Sequence, residues 1–121
     1  MAQANEVTFT IRRANPNICF IDIQGDITGA AEDALAQAYA EAGTPPTRVI
    51  ILNFSGLAYM NSIGIGLIVT LLIRMNRQKQ FLLAYGLSDH YHRIFQLTRL
   101  DEAIGIFPTE AEALIAAARK Y

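Results

Sequence analysis

The most chemically suggestive stretch of the chain is Asn61-Ser62-Ile63-Gly64-Ile65-Gly66, which sets a serine hydroxyl between an amide side chain and two glycines. An Asn-Ser pair ahead of a long apolar run marks a helix N-terminus, where the first backbone N–H groups lack partners and the dipole presents its positive end. Two chemistries suit that position. Either side chain can cap the helix, contributing about 1 kcal/mol, or Ser62 can accept a phosphate carrying about −1.5 to −2 charges. Met60, Ile63 and Leu67 supply an apolar rim that a partner can cover. Gly64 and Gly66 each cost a helix about 1 kcal/mol, so close backbone approach explains them better than helix stability does.

Other reactive residues offer less. Cys19 lies in an apolar run where a free cysteine packs as a small hydrophobe, so it is expected to remain a thiol and not to pair with His90 or His92 as a nucleophile. The two histidines are two apart on an expected helix, which turns them to different sides and spoils them as joint metal ligands. The Gly64–Gly66 run has Val69 where a dinucleotide fingerprint needs its third glycine, and no acidic residue follows before Asp89. Nucleotide hydrolysis there lacks a general base and a phosphate-binding lysine. No cofactor, no metal and no catalytic activity are expected.

The elements that position Ser62 can be read from periodicity. Residues 7–11 alternate as a half-buried strand, Asn15-Pro16-Asn17 make a turn, and residues 18–23 form the second arm of a hairpin closed by Gly25-Asp26. An Ala-rich helix runs from Thr28 as N-cap to Ala42, with Gly43 as its stop. Thr44-Pro45-Pro46 is expected to be extended. Residues 48–54, nearly all apolar, read as a central strand ended by Ser55-Gly56, and a link through Tyr59 and Met60 leads to a helix from Asn61-Ser62 to about Gln78. Residues 81–85 are a buried strand, Ser88 or Asp89 caps a helix to about Thr98, residues 103–107 are a short strand, and Thr109-Glu110-Ala111-Glu112 opens a last helix as a capping box. The order β-β-α-β-α-β-α-β-α implies an α/β fold: one domain over residues 1–121, with a mixed sheet of four to five strands and about four helices.

Composition narrows the function. A chain of 121 residues, 52% hydrophobic with one cysteine, buries a core without a metal or disulfide staple. The longest apolar run, residues 63–73, is well short of the ~20 needed to span a bilayer, so no membrane insertion is expected. MAQANEVTFT lacks the basic and apolar regions of a leader, which implies a cytoplasmic protein. A formal charge of −1 argues against nucleic acid as a partner. Residues 42–88 nevertheless contain Arg48, Arg74, Arg77 and Lys79 and no carboxylate, so the Ser62 region is electrostatically distinct.

Three stretches resemble the STAS domain, the module shared by sulfate transporters and anti-sigma-factor antagonists. Gly25-Asp26-Ile27 with residues 30–35 is similar to the family's turn into its first helix; residues 49–66 are similar to its central strand and phosphorylation loop; Leu87-Ser88, residues 93–98 and Leu100 are similar to its signature around the third helix. The resemblance covers essentially the whole length, and on that ground the chain is expected to match the free-standing antagonists. It implies that Ser62 is phosphorylated by a histidine-kinase-like anti-sigma factor that is also the serine kinase, that a metal-dependent serine phosphatase reverses this, and that only the unphosphorylated form binds the kinase. The implied partner-facing residues are Thr28, Met60, Asn61, Ser62, Ile63, Gly64, Gly66 and Leu67. Asn61 stands where the family has aspartate, Thr28 where it has an acid, Ile63 where it has a second serine, Asp89 where proline is usual and Arg99 where glycine is usual. The alternative implied by the same resemblance is a constitutive interaction subunit of a transporter or signalling complex, with Ser62 only a cap.

Overall fold

Alternation and β-branching give the two arms of a hairpin, Thr8–Asn15 (β1) and Ile18–Ile27 (β2), which pair antiparallel with Phe9 opposite Ile23 and Ile11 opposite Ile21. The computed structural model describes residues 6–121, so the first five residues, on which the expectation of no leader partly rests, lie outside the described residues. The remaining strands are Val49–Met60 (β3), Phe81–Tyr85 (β4) and Gly105–Phe107 (β5), each parallel to its predecessor. The sheet order is β1-β2-β3-β4-β5. Helices Glu32–Ala42 (α1), Ser62–Arg77 (α2) and Asp89–Leu97 (α3) make the crossovers, and Glu110–Ala118 (α4) comes after β5.

Strand alternation divides the core. Cys19, Ile21, Ile50, Leu52 and Leu82 face α1, α2 and α3, whereas Ile18, Phe20, Val49, Ile51 and Leu83 face Ala113 and Ala117 of α4. Both faces are covered, which is why β3 reads as an unbroken apolar run.

The glycines of the central strands bend them without ending them. β2 continues through Gly25 to Ile27 and β3 through Gly56 to Met60, and register shifts between Asp22 and Gln24 and between Gly25 and Asp26 keep them paired to the last residues, Ile27 opposite Met60. Gly25 has φ +96, and a Cβ there would overlap the carbonyl of Glu6. The expected link through Tyr59 and Met60 is therefore strand. Thr28 caps a 3-10 turn, Gly29–Ala31, so α1 starts at Glu32 instead of at Thr28. Pro45 and Pro46 form a turn with a cis peptide bond between them, not an extended link. Arg99 adopts the left-handed φ of 60° where a glycine is easiest, and the 3-10 turn Leu100–Glu102 shortens β5. Capping matches the residues read for it at Ser88, which accepts from the N–H of Tyr91, and at Thr109, which accepts from that of Glu112.

Candidate functional site

The end of β3 carries Met60 to the edge of the α1–α3 layer, and three hydrogen bonds fix the passage from strand to helix. The Met60 N–H donates to the buried hydroxyl of Tyr91 on α3 at 2.8 Å. The Asn61 N–H donates to the Ile27 carbonyl at 3.3 Å. The Asn61 side chain then accepts from the Gly64 N–H at 2.9 Å, so Asn61 alone is the N-cap of α2. Ser62 is the exposed first residue of that helix, and among the described residues its hydroxyl makes no hydrogen bond.

The two glycines differ. A Cβ on Gly64 would lie 2.0 Å from the Ile27 carbonyl oxygen, so this glycine lets α2 sit on the β2 backbone; its close approach is internal. A Cβ on Gly66 would meet nothing within 4 Å. Among the described residues, nothing requires that glycine.

The predicted rim is only partly a rim. Ile63 is 60% exposed, but Met60 is 4% exposed and belongs to the core, because β3 runs on through it; it cannot supply surface contact. Leu67 is half-buried against the core. Thr28 accepts from the Ala30 N–H at 3.3 Å, and a Cβ on neighbouring Gly29 would sit 3.4 Å from Ile63, which brings the turn after β2 alongside Ile63 and the start of α2. No carboxylate stands in the first turn of α2, and Arg74 and Arg77 occupy its last turn.

The conventional reactive groups are dispersed. Cys19 is fully buried, and burial pushes its thiol up. His90 is exposed and His92 half-buried. Among the described residues no group of three His, Cys, Asp or Glu side chains is placed to hold a metal ion.

Two arrangements have no counterpart in the sequence reading. Tyr91 is one; its spacing with Phe95 marks only a buried helix face, and nothing local points to a strand end 31 residues earlier. The other lies at the rim of the opposite sheet face. Arg12 binds Asp22 through two nitrogens and reaches Glu110 of α4 at 2.8 Å, while the Tyr85 hydroxyl donates to Glu110 at 2.8 Å and Asn53 donates to Asp22 at 2.9 Å. The Arg12 hydrogen bond holds the Asp22 carboxyl below the usual range, the Tyr85 and Arg12 hydrogen bonds do the same for Glu110, and burial with the Glu110 contact pushes Tyr85 up to about 12. The hairpin pairing makes Arg12 and Asp22 diagonal neighbours, a legible signal; the contribution of Glu110 needs the tertiary fold.

The STAS domain family profile matches residues 11–113. The chain belongs to the STAS domain family. The anti-sigma-B factor antagonist of Staphylococcus aureus is 35% identical to this STAS domain over 60 residues, covering 50% of this chain and 56% of that protein. The match thus spans about half the length of that relative. The anti-sigma-B factor antagonist of Listeria monocytogenes is 24% identical over 106 residues, covering 88% of this chain and 93% of that protein. In fold, the STAS domain is similar to an anti-sigma factor antagonist from Mycobacterium paratuberculosis, with TM-score 0.81 and 18% identity over 98% of this chain and 99% of that one. It is also similar to a sulfate transporter family protein from Wolinella succinogenes, with TM-score 0.76 and 18% identity over 90% and 91% of the two chains. Among the described residues no helix is long and apolar enough to cross a membrane.

Proposed function

We propose that this STAS domain is an anti-sigma-factor antagonist: a non-catalytic cytoplasmic switch that binds a histidine-kinase-like anti-sigma factor/serine kinase while Ser62 is unmodified and releases it once Ser62 is phosphorylated. A metal-dependent serine phosphatase resets it. The carrying observation is that Asn61 takes the whole capping role, leaving the Ser62 hydroxyl exposed and unbonded at the positive end of α2. Ile63, 60% exposed beside it, provides apolar contact for the partner, and a phosphate places about two negative charges into that contact. No carboxylate within residues 42–88 dilutes the change.

The test is mass spectrometry of the chain after incubation with ATP and a histidine-kinase-like anti-sigma factor/serine kinase from the same cell. One phosphate on Ser62, absent in Ser62→Ala, is expected; an unmodified Ser62 sinks the reading. Ser62→Asp is expected to weaken kinase binding, measured by calorimetry. A second reading, a constitutive interaction subunit of a transporter or signalling complex, draws support from the fold likeness to the sulfate transporter family protein; its premise that Ser62 is only a cap gives way to the Asn61 cap, leaving Ser62 with no role in it. It predicts equal partner affinity for wild type and Ser62→Asp.

A further inference from the structure

We propose that phosphorylated Ser62 draws a second copy of this chain onto α2, forming an antiparallel two-fold dimer in which Arg77 of each copy meets the phosphate of the other. The inference rests on the reading of Ser62 as phosphoacceptor and concerns what the phosphorylated form does next.

The buried side of α2 is Gly64, Ile68, Leu71, Leu72 and Met75. Its exposed side carries Ile63, Gly66, Thr70, Ile73 and Arg77, a spacing of three, four, three and four residues. That is the spacing of a helix seam that meets another helix. Ile63 and Ile73 are 60% and 47% exposed, large apolar side chains that the described residues leave about half uncovered.

The stripe is also self-complementary. Ile63 and Ile73 lie equally far from position 68, as do Gly66 and Thr70. A second α2 laid antiparallel about that position sets Ile63 against Ile73 and Gly66 against Thr70, twice over by symmetry, as an isologous contact requires. Gly66, at which an added Cβ would meet no described residue, admits the neighbouring helix at the short end of the usual ~8–10 Å axial separation. Thr70 brings no unpaired donor into the seam, since its hydroxyl already donates to the Gly66 carbonyl at 3.0 Å.

Charge decides when the contact forms. Counted about position 68, Arg77 falls level with position 59 of the other copy, three residues or about 4.5 Å along the axis past its Ser62, a gap that an extended arginine side chain spans. Arg74 is held over the Tyr39 ring at 4.9 Å, whereas Arg77 has no ion pair among the described residues. A single helix pair buries less than the ~800 Å² per partner of a standard interface, so the apolar stripe alone holds two copies weakly. Two phosphate–arginine pairs, charge-assisted and bidentate in geometry, supply the difference. The same contact covers Ser62 and Ile63, so a dimer of the phosphorylated form withholds that face from a kinase.

The experiment is sedimentation velocity on the full chain, unmodified and with phosphoserine installed at position 62 during translation. The phosphorylated chain is expected to dimerise with a dissociation constant at least about 10-fold below that of the unmodified chain. Arg77→Glu and Gly66→Leu are each expected to return it to monomer, with circular dichroism confirming retained helix. A phosphorylated chain that sediments as a monomer at every concentration overturns the proposal, and so does a dimer indifferent to Arg77→Glu. Because no kinase is used, failure of Ser62 phosphorylation in the kinase assay is a separate result bearing on the proposed function alone.

Discussion

Helices α1, α2 and α3 bury Leu35, Ile68, Leu71, Met75 and Phe95 against one face of the sheet, while α4 meets the other through Ala113 and Ala117. The first seam is thick and apolar, and its polar contacts, Met60 N–H to Tyr91 and the Tyr39 hydroxyl to Gln80, are buried. The second is thin and is completed at its rim by Arg12, Asp22, Glu110 and Tyr85, of which Arg12 and Glu110 have side chains 41% and 47% exposed. Hydrophobic burial depends little on pH, whereas a rim of carboxylates titrates. Ser62 sits on the durable side, where the proposed phosphate would lie on the surface of the thick seam and leave the packing beneath it in place.

The largest expected effect tests the thick seam. Phe95→Ala removes a fully buried ring that packs edge-on against Phe54 and is expected to cost about 3–5 kcal/mol in urea unfolding. A cost under that of Glu110→Ala on the α4 side would erase the contrast. Tyr91→Phe strands a buried Met60 N–H and is expected to cost about 1–3 kcal/mol, with faster hydrogen exchange at the Met60 amide than at amides of β2. Asn61→Ala removes the cap and is expected to cost about 1 kcal/mol, whereas Asn61→Asp, still an acceptor for Gly64, is expected to be nearly neutral in stability.

Among side-chain truncations, the smallest effect at neutral pH is on the thin seam. Glu110→Ala breaks contacts to an exposed arginine and a tyrosine and is expected to cost no more than about 1 kcal/mol. The folded pKa values of Asp22 and Glu110 are lowered, so their contribution is present above the ordinary carboxylate pKa of about 4 and is lost as pH falls through the lower folded values. Tyr85 runs the other way: its contribution is full below the ordinary phenol pKa of about 10 and is lost as pH rises toward 12. Hydrogen exchange in α4 is therefore expected to accelerate in acid before exchange in α2 does. Equal acceleration in both helices would show that the two seams do not differ.

Legibility in the sequence tracks the range of the interactions. Caps are readable because Ser88 and Thr109 bond three residues ahead, and strands are readable where alternation or continuous β-branching persists. Gly25 and Gly56 mislead, since a glycine that bends a paired strand and one that ends it look alike until the partner strand is in place. Met60 is misplaced for that reason: with β3 stopped at Ser55, it falls on a link, and with β3 continued to Ile27's partner position it falls in the core. The glycine pair before and after Ile65 is legible as unusual, but only packing separates Gly64, pressed on a carbonyl, from Gly66, facing open space. Ser62 is identifiable at the helix start; that Asn61 frees it of capping duty requires coordinates.

The strand order has a consequence for synthesis. Each strand of this sheet lies beside the one made just before it, so a chain emerging from the ribosome can add β3 to the hairpin, then β4, then β5, without reserving a gap for a later arrival. The helices that cover the Ser62 side are inserted along the way. The other face stays bare until α4 has been translated, leaving Ile18, Phe20, Val49 and Ile51 briefly wet on an otherwise assembled sheet. The nascent protein is thus most exposed to misassociation in the interval between β5 and α4, on the face that the finished molecule closes with two alanines and a ring of charge.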